Sequence, residues 1–334
     1  MAHSTTSAQA RGELSDDSRA FDSAALSDEA AEFADAVLSG LTHVPRSIPS
    51  RFLYDETGSA LFEEITKLDE YYPTRTEMGL LLTHGAEIAD AAGDVDTLVE
   101  FGSGSSRKTR LLIEALEGLR TYVPIDVSEA FLVEAAQRLK ADCAGLTVTP
   151  VVGDFTKTRN LDRVPAGRRL GFFSGSTIGN LTHEESHDFL VNASRLLGHG
   201  STFLIGVDLK KSLDTLIPAY DDAQGATASF SLNLLARINR ELGGDFDTGR
   251  FAHRALYNAA EDRIEINLES LAEQTVHVLG QSFFFAKGER IHTENSHKYS
   301  VEGFQALAWR AGWMPVHAWT DEASLFSLHL LRVN

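Results

Sequence analysis

The stretch from Thr97 to Lys108, TLVEFGSGSSRK, restricts the fold of this chain more than any other. An apolar run, Leu98 and Val99, ends at Glu100. It breaks into Gly102, Ser103 and Gly104, and a helical pattern follows from about Arg107 to Leu116. Strand, glycine turn and helix start together make one unit of an alternating α/β sheet. Glycines there let the backbone approach a ligand closely, and the free N–H groups at the helix start favour negative charge. A tight β-α turn without a ligand has the same local pattern, so signals further along must decide between them.

Two such signals follow at suitable distances. Thr121 to Asp126 is predicted as a second strand ending in an acid. Asp126 lies about 20 residues past the glycine turn, where a Rossmann-like sheet sets a carboxylate on ribose hydroxyls. A third strand, Leu146 to Val152, ends in Gly153, Asp154 and Phe155. A helix opening at Ser128, with Phe131, Leu132, Ala135 and Leu139 inward, separates these two strands. A fourth strand, Leu170 to Phe173, leads into Ser174-Gly175-Ser176-Thr177-Ile178-Gly179-Asn180. Thr182 and Glu185 have the spacing of a capping box for the next helix. A fifth strand, Thr202 to Val207, ends at Asp208.

The alternation then stops. A helix is expected over Ala226 to Leu242, then short alternating strands from Arg263 to Glu294, and a helix from Ser300 stopped by Gly312. Strands over Val316 to Trp319 and Leu325 to Val333 close the chain. Before the glycine turn, a helix capped by Ser27 presents Phe33, Ala34, Val37 and Leu41 at helical spacing. Gly58 and Ser59 open a short helix, and Pro73 is expected to hold the chain as a loop until a new helix at about Thr76. Residues 1–24, rich in Ser, Ala and Asp without apolar periodicity, read as a disordered tail.

The expected fold is α/β, a Rossmann-like sheet with a second α+β domain formed by the N-terminal segment and an insertion. Its expected boundaries are 76–209 with 298–334 for the sheet domain and 25–75 with 210–297 for the second. The net charge of −18 over 334 residues excludes nucleic acid or an anionic membrane as the main partner. A single cysteine, Cys143, permits no disulfide framework within the chain and suits a cytoplasmic setting. No apolar run approaches about 18 residues, so no membrane span is expected.

A dinucleotide turn normally carries a third glycine, and GSGSSRK does not. The EFGSG turn, the acid after strand two and the GDF after strand three instead resemble S-adenosylmethionine binding in class I methyltransferases. That resemblance implies that Gly102 and Gly104 pass the methionine part, Asp126 takes the ribose, and Asp154 and Phe155 meet the adenine.

Longer strings narrow the likeness. FLYDETGS from Phe52, YYPTRTE from Tyr71 and GSTIGNLT from Gly175 are three of them. AYDDA from Ala219, NREL from Asn239 with Asp245 to Asp247, and TENSHK from Thr293 complete the set. From about residue 45 to the C-terminus the chain resembles the histidine Nα-methyltransferases of ergothioneine biosynthesis. The resemblance implies three successive methyl transfers to the α-amine of L-histidine, giving hercynine. Displacement at a sulfonium needs no metal, and a monomer is expected. It places Asn180 and Tyr220 on the substrate carboxylate, and Tyr54 and the Gly175 carbonyl beside the amine. Glu294 and Ser296 read the imidazole, Tyr71 faces the substrate, and Lys108 lies near the cofactor carboxylate. On that division Glu294 and Ser296 select the substrate, while Tyr54 and Asn180 serve the transfer.

One position departs from the pattern. Ile266 stands where methionine is common, and a stiff β-branched residue there would reshape an imidazole pocket. Tryptophan or tyrosine as substrate is therefore the alternative within the same fold. A catalytically silent S-adenosylmethionine-binding protein is a further alternative. It conflicts with the joint presence of Tyr54, Asn180, Tyr220, Glu294 and Ser296. His183, His187, His292 and His297 lack zinc-type spacing and are read as surface or packing residues.

Overall fold

The computed structural model describes residues 28–333 apart from 103–106, 127–131, 134–135, 138, 141–142, 144, 155–163 and 165–166. The expected tail, the Ser27 cap, Gly104, Ser128, Phe131, Ala135 and Phe155 lie outside the described residues.

An eight-stranded sheet organises one half of the molecule. Its strands are β2 (Thr97–Phe101), β3 (Thr121–Asp126), β4 (Thr147–Val148), β5 (Val151–Val152), β6 (Arg169–Phe173), β7 (Thr202–Asp208), β13 (Trp313–Thr320) and β14 (Phe326–Val333). The order is β13-β14-β7-β6-β2-β3-β4, with β5 also on β3. Strands β2 to β7 pair in parallel, and β14 joins β7 antiparallel. All of β2 is buried, as a strand covered on both faces must be. Val99 and Phe101 point to one face, against helix α5 (His183–Leu197) and α8 (Val301–Arg310). Leu98 points to the other, against α3 (Tyr72–Ala92) and α4 (Arg107–Ala115).

The smaller sheet has the order β1-β12-β9-β8. It joins the N-terminal β1 (Arg46–Ser47) to β8 (Phe251–Asn258), β9 (Arg263–Ser270) and β12 (Arg290–His297). Helices α1 (Asp28–Thr42), α2 (Glu56–Ile65), α6 (Leu213–Tyr220) and α7 (Ala226–Leu242) lie in this half. Phe33, Val37 and Leu41 of α1 share a core with Phe230, Leu234 and Ile238 of α7 and with Leu268 and Ile291 of the sheet. A hairpin, β10 (Gln274–Val278) and β11 (Gln281–Phe285), closes that core. Leu279 and Gly280 turn it with φ of 49° and 75°, as a two-residue hairpin turn with positive φ at both positions requires.

Several local expectations change. Helix α3 begins at Tyr72, because Pro73 sits in its first turn, where a missing N–H removes no bond. Helix α2 begins at Glu56, before Gly58, because Asp55 caps it by accepting from the Gly58 N–H at 2.7 Å. The third strand is split into β4 and β5. Pro124 lies between Tyr122 and Asp126, whose carbonyls accept from Thr149 and Gly153 on either side of the gap, and its nitrogen cannot donate to the ladder. Helix α6 and strand β8 were not foreseen. Pro218 and the shortness of α6 hide its periodicity, and the inward positions of β8 include the buried His253, which interrupts its apolar alternation.

Candidate active site

A cavity of about 1150 Å³ opens where the parallel strands end, at the point where β3 and β6 leave β2 on opposite sides. Open α/β sheets bind ligands at this kind of switch point. Gly102, Asp126 and Asp154 line it from the ends of β2, β3 and β5. Gly102 takes φ of 77°, and its N–H donates to the Ile125 carbonyl at 2.8 Å, which turns the chain sharply off the strand. These groups suit S-adenosylmethionine: carboxylates for hydroxyl and amine donors beside a backbone turn that a ligand can approach.

Lys108, in the first turn of α4, reaches back to Glu77 of α3 at 2.6 Å. The Glu77 carboxylate is fully enclosed and also accepts from the Gly175 N–H at 2.8 and 3.1 Å. Gly206 presses against it, since a Cβ there would stand 2.1 Å from Glu77 Oε1. Glu77 therefore ties Lys108 and the start of α4 to the turn after β6. That turn is left-handed at both Gly175 and Ser176, with φ of 75° and 55°. A serine there is strained, and the Asp208 N–H donating to its hydroxyl at 2.9 Å holds it in place. Asn180 ends the turn, and the Thr182–Glu185 capping box starts α5 directly after it.

The opposite wall comes from the other half of the molecule. Tyr54 follows the 3-10 turn Ser50–Leu53 and precedes the cap Asp55. Asn233 and Arg240 of α7 hold that Asp55 at 2.7 and 2.6 Å. The Tyr54 ring packs edge-on against Phe62 and Phe230, at 5.5 and 5.2 Å. Tyr71 sits at the α3 N-terminus with its ring 6.2 Å from that of Tyr220, the last residue of α6. Glu294 and Ser296 alternate along β12 on its cavity side.

Glu294 gathers the wall into one unit. Asn180 Nδ2 donates to it at 3.1 Å, and the Tyr54 hydroxyl is hydrogen-bonded to it as well. Burial pushes its carboxyl up to about 7, against the opposing pull of the Lys298 charge and those two bonds. Burial also drives the Tyr54, Tyr71 and Tyr220 phenols well above the ordinary range. Tyr220 Oη and Ser296 Oγ stand 2.8 Å apart. Behind them Lys298 meets Asp208 at 2.7 Å, and Asp208 also meets Lys211 and the Tyr72 hydroxyl.

All the described residues expected at the site line this cavity: Tyr54, Tyr71, Gly102, Lys108, Asp126, Asp154, Gly175, Asn180, Tyr220, Glu294 and Ser296. Ile266 is placed differently. It pairs with Glu294 across the β9–β12 ladder, but its side chain packs with Leu216, Ala255 and Ile264, and Tyr220 rests on that cluster. It therefore bears on the pocket through Tyr220. Sequence reasoning missed Glu77, Ser176, Asp208 and Lys298. Glu77 and Lys298 lay inside quoted strings, but a charge in a string does not reveal its burial. It also missed Arg51, which lines the cavity 3.6 Å from Asp154.

A family model described as "Histidine-specific methyltransferase, SAM-dependent" matches residues 33–333. The chain belongs to this family. It is 46% identical to a histidine N-alpha-methyltransferase of Mycolicibacterium smegmatis over 300 residues, 88% of this chain and 92% of that one. A histidine N-alpha-methyltransferase of Mycobacterium tuberculosis is 44% identical over the same shares. Ergothioneine biosynthesis protein 1 of Neurospora crassa is 31% identical over 86% of this chain, which spans 33% of that protein. The family is S-adenosylmethionine-dependent, and that is the cofactor of this enzyme; its sheet, parallel from β2 to β7 with β14 antiparallel beside β7, has the class I methyltransferase fold. Among the described residues no group of His, Cys, Asp and Glu is arranged to hold a metal ion, and no helix is long and apolar enough to cross a membrane.

Proposed function

We propose that this enzyme transfers three methyl groups in succession to the α-nitrogen of L-histidine, giving hercynine for ergothioneine biosynthesis. One observation supports this reading above the others. A single carboxylate, Glu294, is bonded to both Asn180 and Tyr54 in the cavity that Gly102, Asp126 and Asp154 line from the other side.

S-adenosylmethionine supplies a methyl group activated on a sulfonium. At each step the nitrogen lone pair forms the N–C bond as the C–S bond breaks, and one proton leaves the nitrogen. The residues must hold the nitrogen in line with that bond. Asn180 and Tyr220 take the α-carboxylate, Tyr54 and the Gly175 carbonyl border the amine, and Tyr71 closes the aromatic side. Glu294 and Ser296 meet the ring nitrogens. Gly102, Lys108, Asp126 and Asp154 hold the cofactor. We assign the substrate side to 25–75 with 210–297 and the cofactor side to 76–209 with 298–334, the reacting atoms meeting between them.

The test is mass spectrometry of L-histidine, L-tryptophan and L-tyrosine, each incubated with enzyme and S-adenosylmethionine. A histidine product heavier by three methyl groups is expected. Methylation of tryptophan or tyrosine in preference to histidine would overturn the assignment.

A further inference from the structure

Lys298 directly follows β12, and its ammonium is wholly enclosed. It lies 2.7 Å from Tyr220 Oη, 2.7 Å from Ser296 Oγ and 2.7 Å from Asp208 Oδ2. An ammonium has three N–H donors and no acceptor, so each of these oxygens receives one of its protons. Both hydroxyls are thereby fixed as acceptors toward Lys298. They also bond to each other at 2.8 Å, which uses one of their two protons. One hydroxyl proton remains for whatever enters the cavity.

We propose that Lys298 is a positioning residue that holds the two substrate-reading hydroxyls as acceptors with one free proton between them, which the substrate carboxylate draws to Tyr220. Ser296 donates to Tyr220, Tyr220 donates its proton to the substrate carboxylate, and Ser296 meets the imidazole only as an acceptor. This rests on the reading of Tyr220 as a carboxylate anchor. The reverse polarity leaves Tyr220 with lone pairs alone facing a carboxylate, which repels it. With Ser296 restricted to accepting, the ring must offer it an N–H. The other ring nitrogen then faces Glu294, and one proton serves that contact, carried by either the ring or the carboxyl. A substrate ring without an N–H leaves the Ser296 lone pair unmatched, so this polarity contributes to specificity.

The surroundings allow Lys298 to be tested alone. Asp208 keeps Lys211 at 2.6 Å and the Tyr72 hydroxyl at 2.8 Å when Lys298 is removed. The experiment compares L-histidine turnover with inhibition by histamine, which has the ring and amine but no carboxylate. Wild-type turnover of histidine comes first, because its absence defeats the functional reading and not this inference. Lys298→Met should raise KM for histidine by roughly tenfold or more, the scale of a lost bond to a charged group. Histamine inhibition and S-adenosylhomocysteine affinity should stay as they are, so the preference for histidine over histamine collapses. Equal losses for histidine, histamine and S-adenosylhomocysteine, or an unchanged preference, would overturn the proposal. Ser296→Ala gives an independent reading if Lys298→Met does not fold. Under the proposed polarity, Tyr220 keeps its proton for the carboxylate, so ring affinity falls and the histidine preference over histamine is unaltered. A preference that grows means Tyr220 had been donating to Ser296, and the polarity is the reverse.

Discussion

The two ends of the cavity are built differently. At the end we assign to the cofactor, three groups come from a strand and the turn directly after it: Gly102 from β2, Asp126 from β3 and Asp154 from β5, while Lys108 comes from the first turn of α4. Placement of those three follows mainly from the strand ends, with links to Ile125 from Gly102 and to Arg51 from Asp154. At the end we assign to the amino acid, the groups come from the N-terminal segment, α6, the turn after β6 and β12, and they are bonded to one another. Asn180 and Glu294 are 114 residues apart in the chain, and Tyr220 and Lys298 are 78 apart. A change at the first end should therefore stay local, and a change at the second should spread.

The sharpest test of that contrast is Glu294→Ala. It removes the acceptor for both Asn180 and Tyr54, so histidine turnover should fall by about a hundredfold or more, in line with the roughly 3–5 kcal/mol that breaking a buried charged set costs. Tryptophan and tyrosine should be discriminated against less, since no unpaired carboxylate awaits their rings. Equal losses on all three amino acids would make Glu294 a structural residue and Tyr71 the next candidate reader. Asn180→Ala should also lower all three, yet histidine most, because it frees Glu294 as well as the carboxylate. Uniform loss across the panel would separate the two roles and break the idea of a coupled end.

Asp126→Ala probes the local end. Calorimetry should register about 1–3 kcal/mol weaker S-adenosylmethionine binding, the range for hydrogen bonds to a charged group. The ranking of amino-acid substrates should not move, and a shift in that ranking would mean that the cofactor end is coupled too.

A smaller effect concerns stability. Burial holds the Glu294 carboxyl at about 7 against an ordinary 4.5. The folded chain thus binds this proton more tightly than the unfolded one. The resulting stabilisation is complete below 4.5 and is lost as the pH rises through about 7. Glu294→Gln removes the linkage, so its melting temperature should climb relative to the parent enzyme across that window. A constant difference at every pH would show that the carboxyl is not held protonated by the fold. The least expected change is Thr182→Ala, which deletes the capping box of α5. Denaturant titration should show about 1 kcal/mol lost, with KM for both substrates unchanged. A raised KM would mean that the capped helix start also sets Asn180.

These tests follow the line between what could be read from the chain and what could not. Strand β3 over Thr121–Asp126, helix α7 over Ala226–Leu242 and the Thr182–Glu185 box were legible because each is dictated within a few residues. Pro73 misled because one residue fits two contexts, a loop and a helix first turn, and only the path of α3 against the sheet distinguishes them. The position of Ile266 was legible as a departure. Its packing into the cluster under Tyr220, on the same sheet face as Glu294, was not. Glu77 and Lys298 were visible as charges, but no local pattern announces that a charge will be fully buried.

The sequence by itself determined the strand-turn-helix units, and with them the place of the glycine turn and the strand-end carboxylates. Those depend on period, turn residues and backbone sterics that act over a few positions. Its longer strings determined the family. The tertiary structure alone decided that Asp208, at the end of a parallel strand, would balance Lys211 and Lys298. It alone decided that Lys298 would spend its remaining two protons on Tyr220 and Ser296. Buried charges must be paired wherever the fold brings them together, and such a pairing is a property of three-dimensional proximity that spacing along a chain does not encode.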